Sequence, residues 1–195
     1  MAKKESTFIN MVSTLVVITA VAAFALAGVY ELTKEPIARA KMAKKIAALN
    51  QVLPEFDTVI SESFTFPDMA MPLEFNFAIK NGDTIGIAVE TYTMMGFSGL
   101  IKAMVGFEPD GTIIDVVHLE HKETPGLGDK IEKRKSTWSN QFQGINPATF
   151  DLRVRKDGGD VDGITAATIT ARAYADAINR AFIAFNEKKG DSNHE

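Results

Sequence analysis

Phe8 to Tyr30 is uncharged and rich in Val, Ala, Leu and Ile. At about 1.5 Å of rise per residue, such a stretch is long enough as a helix to cross a hydrocarbon core of about 30 Å. It is longer than the apolar stretch of a cleaved signal peptide, so an uncleaved membrane anchor is expected. Pro36 suits the first position of a new helix, and the Ala/Lys-rich run from Ile37 to Val52 predicts a connector helix ending at Pro54. Beyond it the pattern changes to alternation. Leu73, Phe75, Phe77 and Ile79 alternate with Glu74, Asn76, Ala78 and Lys80, which predicts a half-buried strand. Asn81-Gly82 is a tight-turn signal, and Ile85, Ile87 and Val89 carry the returning strand. A second hairpin is expected from Leu100 to Phe107, through Asp110-Gly111, to Ile113 and on to Leu119.

The pattern after this hairpin predicts a short helix from Asp129 to Trp138 and a strand from Leu152 to Arg155. From Tyr174 the apolar residues Ile178, Ala181, Phe182 and Phe185 recur at helical spacing, so a closing helix runs to about Glu187. Its start lies among Thr165, Thr168 and Thr170, because Gly158, Gly159 and Gly163 are poor helix formers. Antiparallel strands with helices at the ends give an α+β domain. The expected organisation is a short tail over 1–7, the anchor over 8–30, a connector over 31–53, one domain over 54–189 and a frayed tail over 190–195.

Composition narrows the function classes. Hydrophobic residues make up 46% and charged residues 24%, a globular balance, and the net charge of −4 gives no reason to expect nucleic-acid binding. There is no cysteine, which excludes disulfides, metal thiolates and a thiol nucleophile. No Rossmann or Walker phosphate loop is present, nor a recognisable Ser/His/Asp constellation. His118 and His121 with Glu120 and Glu123 have the composition of a metal cluster. Residues three apart on a strand point to opposite faces, so no ligand pair and no metal are expected there.

Two short segments carry chemistry. Asp162-Gly-Ile-Thr-Ala-Ala-Thr168 lies between a glycine-rich loop and the closing helix. A helix start offers unpaired N–H groups and the positive end of the dipole, an environment that suits a phosphate. Glu123-Thr-Pro-Gly-Leu-Gly128 follows the second hairpin, and its proline and glycines impose a turn where backbone can approach a ligand closely.

Both segments resemble the G subunit of the Rnf ion-translocating electron-transport complex and the related C subunit of the Na+-translocating NADH:quinone reductase. That family has the flavinylation pattern Asp-x-x-Ser/Thr-Gly-Ala-Thr, whose last threonine carries FMN through a phosphoester. Asp162, Thr165, Ala167 and Thr168 match it, and Ala166 stands where the family has glycine. The Glu-Thr-Pro-Gly-Leu-Gly loop, which lies beside the flavin in the family, matches over all six residues. Gly96-Phe-Ser-Gly99 approximates a glycine-rich turn of the same family.

The resemblance implies an antiparallel-sheet FMN-binding domain with flanking helices behind one transmembrane helix. It implies an electron-carrying component of a membrane complex that couples electron transfer between ferredoxin and NAD to Na+ or H+ translocation. Thr168 would be the covalent FMN attachment site, with Thr165, Asp162, Ala167, Glu123, Thr124, Gly126, Leu127, Gly128 and Lys130 around the cofactor. No residue has a catalytic role of its own, since the redox chemistry belongs to FMN. Implied partners are the other Rnf-type subunits, among them a polytopic flavin-bearing one, together with membrane lipid and a flavin transferase that uses FAD and a divalent metal. The alternatives are a membrane-anchored flavoprotein relay of another respiratory or reductase system, and a flavin-free assembly subunit.

Orientation divides the two lines of argument. Lys3 and Lys4 precede the apolar span, while Lys34, Arg39, Lys41, Lys44 and Lys45 follow it. That count would keep the domain in the cytoplasm. The resemblance places it outside the cytoplasmic membrane, and because large domains translocate despite their charge, the extracytoplasmic side is the expectation.

Overall fold

The computed structural model describes residues 7–67 and 69–192. It divides into an amino-terminal unit up to Lys44 and a compact domain from Lys45 onward. Helix α1 spans Phe8–Val52 and contributes to both. Its apolar part is exposed along its length, with Phe8 at 76% and Phe24 at 84%. Among the described residues, α1 is the one helix long and apolar enough to cross a membrane. Pro36 does not open a second helix: it lies inside α1. Its flanks, Lys34-Glu35 and Ala38 to Lys45, are strong helix formers. Intrahelical ion pairs add to them, Glu31 with Lys34 at 2.5 Å and Glu35 with Arg39 at 3.2 Å. Helical geometry therefore continues through the one missing N–H.

The domain is built on a five-stranded antiparallel meander: β1 (Thr58–Phe64), β2 (Leu73–Lys80), β3 (Asp83–Gly96), β4 (Gly99–Phe107) and β5 (Ile113–Glu120). The β2–β3 turn forms at Asn81-Gly82 as expected, both residues at positive φ (55° and 93°). Edge strand β1 had no counterpart in the hydrophobic pattern, because most of its residues are exposed. Helix α2 (Thr168–Ser192) covers one face of the sheet. Leu73, Phe75, Val89, Val105 and Phe107 pack there with Tyr174, Ile178, Ala181 and Phe185. On the other face Ala48, Leu49 and Val52, at the end of α1, pack with Ala78, Ala88 and Met104. β2 is therefore covered on both faces rather than half-buried. Asn76 is wholly enclosed and is satisfied by the Ser61 hydroxyl, which donates to its Oδ1 at 2.7 Å, and by Ala88 O, which accepts from Nδ2 at 3.4 Å.

Three further expectations are corrected. Asp129 to Trp138 is not one helix. The chain forms 3-10 turns at Gly128–Ile131 and Trp138–Phe142, interrupted at Glu132, which is extended (φ −77°, ψ 125°). The Ser136 hydroxyl accepts the Trp138 N–H at 3.1 Å, a local bond that competes with helix continuation. Leu152 to Arg155 is not a strand of the sheet. Its backbone groups close on the same loop instead, Arg155 N–H to Val161 O at 2.8 Å and Val161 N–H to Arg153 O at 3.1 Å, leaving a single parallel bridge between Val154 and Val161. At the carboxyl end, residues 190–192 belong to α2 rather than to a frayed tail, and 193–195 lie outside the described residues.

Candidate functional site

Three segments far apart in sequence meet at one end of the sheet. The pairing of β3 with β4 shifts register between Thr93 and Gly96, which leaves Met94 and Met95 exposed and ends in the Phe97-Ser98 turn. Beside it lies the 123–128 loop, closed by the Thr124 carbonyl, which accepts the N–H of Leu127 at 3.2 Å and of Gly128 at 3.0 Å. The third segment is the start of α2. Its first helical hydrogen bond runs from Ala171 N–H to Ala167 O at 3.0 Å, so the helix starts at Thr168, among the threonines as expected, and Thr165 lies outside it. The first-turn N–H groups of Thr168, Ile169 and Thr170 have no intrahelical partner and carry the positive end of the helix dipole.

A cavity of about 350 Å³ opens between these segments, lined by Phe97, Glu123, Thr124, Leu127, Gly128, Ala166, Ala167, Thr168, Ile169 and Thr170. That size suits a small-molecule site. Thr168 is half-buried on its wall. Phe97, Leu127 and Ile169 present exposed apolar side chains at 67%, 40% and 49%, a suitable rest for a flat aromatic ring. Of the residues expected around a cofactor, Glu123, Thr124, Leu127, Gly128, Ala167 and Thr168 meet here. Asp162, Thr165, Gly126 and Lys130 do not line the cavity.

Ala166 has φ 63°, in the left-handed region. The turn into α2 demands a conformation that glycine takes freely and alanine takes with strain.

Glu123 is only 4% exposed. Its Oε1 accepts the Ser98 N–H at 2.9 Å and its Oε2 accepts the Thr170 hydroxyl. Gly128 makes room for it, and Gly96, whose first obstacle would be the Gly99 carbonyl oxygen, also lies against it. A Cβ on Gly128 would stand 2.8 Å from Glu123 Cβ, and one on Gly96 would stand 2.9 Å from Glu123 Oε1. Neither position tolerates a side chain without movement.

Asp162 occupies the opposite environment. Its carboxylate is 60% exposed and meets the Arg155 guanidinium at 3.1 Å. Its backbone is fixed by residues that the motif does not contain: Trp138 Nε1 donates to Asp162 O at 2.7 Å, and Gln141 Oε1 accepts the Asp162 N–H at 2.7 Å. The lone tryptophan of the chain was the available signal for such an anchor; Gln141 gave none.

The expectation that His118 and His121 point apart is overturned. β5 ends at Glu120, so the alternation of a strand stops before His121. The two rings lie 5.3 Å apart, and ligand atoms of His118, His121 and Glu132 all fall within 4.8 Å of one another. Both nitrogens of His121 are engaged: Nδ1 accepts the Glu123 N–H at 3.2 Å, which leaves Nε2 to donate to Glu132 Oε1 at 3.0 Å. A cation could take Nε2 only by undoing that arrangement. Arg134, hydrogen-bonded to Glu132 Oε2, outweighs burial and, with His121, holds the Glu132 carboxyl down at about 2.

Comparison with known proteins gives one consistent result. Residues 96–183 match the FMN-binding domain family, and residues 2–52 match a family described as the RnfG N-terminal region. The G subunit of the ion-translocating oxidoreductase complex of Shewanella piezotolerans is 39% identical over 172 residues, covering 83% of this chain and 81% of the relative. The protein of the same description from Vibrio atlanticus is 40% identical over 162 residues, covering 77% of each chain. That of Vibrio vulnificus is 39% identical over 159 residues, covering 75% and 74%.

Proposed function

The chain belongs to the G-subunit family of ion-translocating oxidoreductase complexes, and from that premise we propose that it is a single-span electron relay carrying FMN covalently on Thr168. The observation that supports this most is the half-buried Thr168 at the first turn of α2, on the wall of a cavity that also takes in the 123–128 loop. The residues fit the group. The unpaired N–H groups of the α2 first turn favour the single negative charge of a phosphodiester by about 0.3–1 kcal/mol. Phe97, Leu127 and Ile169 would flank the ring system, and Thr124 and Gly128 would bring backbone close to it.

FMN supplies the electron transfer; the protein fixes its place and tunes its surroundings. In attachment, a flavin transferase would activate the Thr168 hydroxyl. Its oxygen would form the new bond to the FMN phosphorus of FAD, AMP would leave with the electron pair of the cleaved phosphoanhydride, and the hydroxyl proton would pass to the transferase. The complex so served would couple electron flow between ferredoxin and NAD to Na+ or H+ movement. The other subunits, including one with several spans and its own flavin, would exchange electrons with this one. Residues 8–30 of α1 would be the lipid-facing anchor.

The test is to produce the full chain with a flavin transferase and read flavin fluorescence in a denaturing gel. Wild type should fluoresce and gain the mass of the FMN moiety, and Thr168→Ala should do neither. A Thr168→Ala chain that still fluoresced would move the attachment elsewhere.

The domain is proposed to face away from the cytoplasm, against the count of basic residues that flank the span. Because the chain has no cysteine, Ser192→Cys gives one thiol near its carboxyl end. An impermeant thiol reagent should label it in spheroplasts; labelling that requires lysis would reverse the orientation.

A further inference from the structure

We infer that Glu123 is a positioning residue, a buried hub that joins the three segments of the site and sets the presentation of the Thr168 hydroxyl, rather than a group that binds the cofactor. The inference rests on the reading that Thr168 is the attachment site. One carboxylate reaches all three segments. Oε1 holds the Ser98 N–H of the β3–β4 turn at 2.9 Å, Oε2 holds the Thr170 hydroxyl two residues beyond Thr168, and Glu123 itself begins the 123–128 loop. In a residue only 4% exposed the carboxylate carries a desolvation penalty, which these charge-assisted bonds offset. Removing one partner would leave the other buried and unsatisfied.

The surroundings are shaped to this side chain. Gly128 lacks the Cβ that would stand 2.8 Å from Glu123 Cβ, and a Cβ on Gly96 would meet the Gly99 carbonyl oxygen first and Glu123 Oε1 at 2.9 Å. The backbone of Glu123 is tied in turn: its N–H donates to His121 Nδ1 at 3.2 Å, and His121 Nε2 donates to Glu132 Oε1 at 3.0 Å. Both carboxylate oxygens are thus engaged by protein groups, and a ligand in the cavity would meet the walls that Glu123 fixes.

The experiment compares wild type, Glu123→Gln, Glu123→Ala and Thr170→Val as full chains. Each is produced with a flavin transferase and FAD, and the rate of flavin attachment is followed in denaturing gels. The same chains, made without the transferase, are compared by amide exchange over 96–99 and 168–171 and by thermal melting in detergent.

Glutamine keeps both bonds if the Thr170 hydroxyl turns to accept from its Nε2, while Oε1 still accepts from Ser98. A positioning role therefore predicts Glu123→Gln attaching flavin within about threefold of wild type. Glu123→Ala should be slower by roughly tenfold to a hundredfold, the range set by losing hydrogen bonds to a charged group, and Thr170→Val by about tenfold. In both, exchange should quicken over 96–99 and 168–171 in the chain without flavin.

Attachment at the wild-type rate in either Thr170→Val or Glu123→Ala would overturn the inference. Glu123→Gln as slow as Glu123→Ala would also overturn it, because the charge and not the geometry would then matter. Should Glu123→Ala fail to fold, Glu123→Gln and Thr170→Val decide by the same outcomes. Should wild type itself take up no flavin, the attachment site is wrong. The exchange data then judge the hub alone: unchanged exchange over 96–99 in Thr170→Val overturns it.

Discussion

Glu123 and Asp162 each stand in a glycine-containing loop beside the start of α2, and both belong to motifs visible in the sequence. Glu123 is 4% exposed and has both oxygens bound inside the domain. The Asp162 carboxylate is 60% exposed, with an Arg155 partner that is 69% exposed. A carboxylate withdrawn from water has to be compensated by its neighbours, so its loop is rigidly specified. An exposed ion pair holds its loop weakly and leaves the carboxylate available to another protein. On the proposed function the two loops would divide the work of the site, one building it and the other offering it for recognition.

The hardest blow to the buried side of this comparison is Gly128→Ala. The added Cβ would stand 2.8 Å from Glu123 Cβ and 2.9 Å from both Glu123 Oε2 and Thr170 Oγ1. Two of these three atoms belong to one hydrogen-bonded pair, so relief at one side strains the other. The expected loss is about 1–3 kcal/mol of stability, the usual range for overpacking a buried site. Flavin attachment should fall with it. Denaturant titration of the full chain in detergent, beside fluorescence in gels, measures both. A Gly128→Ala chain of wild-type stability and flavin content would mean that the loop is not rigidly specified.

Much of the fold was legible, and the failures have physical causes. Alternation in 73–80 and the Asn81-Gly82 turn gave the central hairpin, because one strand face and a positive-φ turn are both local properties. β1 was invisible because an exposed edge strand needs no apolar pattern. The burial of Ala78 depends on the end of α1, a contact that local pattern does not encode. The site divides in the same way. Thr168 and the 123–128 loop stood out as contiguous motifs, and the structure brings both to the wall of one cavity. The hub was not: Glu123 meets Ser98 across 25 residues and Thr170 across 47. The approach of His118 to His121 was misread because the period of two stops with β5 at Glu120.

A smaller and opposite effect is expected at Ala166, on the exposed segment leading into α2. Its φ of 63° is the one strained turn between Asp162 and Thr168 among the described residues. Alanine there gives up roughly 1–2 kcal/mol relative to its preferred conformations. Glycine avoids that strain but gains unfolded-state entropy worth about 0.5–1 kcal/mol. Ala166→Gly should therefore stabilise the chain by up to about 1.5 kcal/mol, a rise in melting temperature of at most about 3–6 °C. Flavin attachment should be kept or quickened. A fall in melting temperature would show that the backbone here does not hold the left-handed conformation.

Asp162→Ala separates stability from recognition most sharply, since its expected effect on stability is the smallest. The pair with Arg155 at 3.1 Å is exposed on both sides and screened by solvent and salt. The loop keeps its place without the carboxylate, because Trp138 Nε1 and Gln141 Oε1 hold the Asp162 carbonyl and N–H, groups that alanine also has. Melting temperature should change by less than about 3 °C. Flavin attachment should nevertheless drop by about tenfold or more, with binding of the unmodified chain by the transferase weakened to match, because one charge-assisted contact is worth about that factor. Asp162→Asn, which keeps the shape but not the charge, should behave like Asp162→Ala. Were both variants flavinylated at the wild-type rate, the exposed carboxylate would have no recognition role. The contrast with Glu123 would then reduce to one of burial alone.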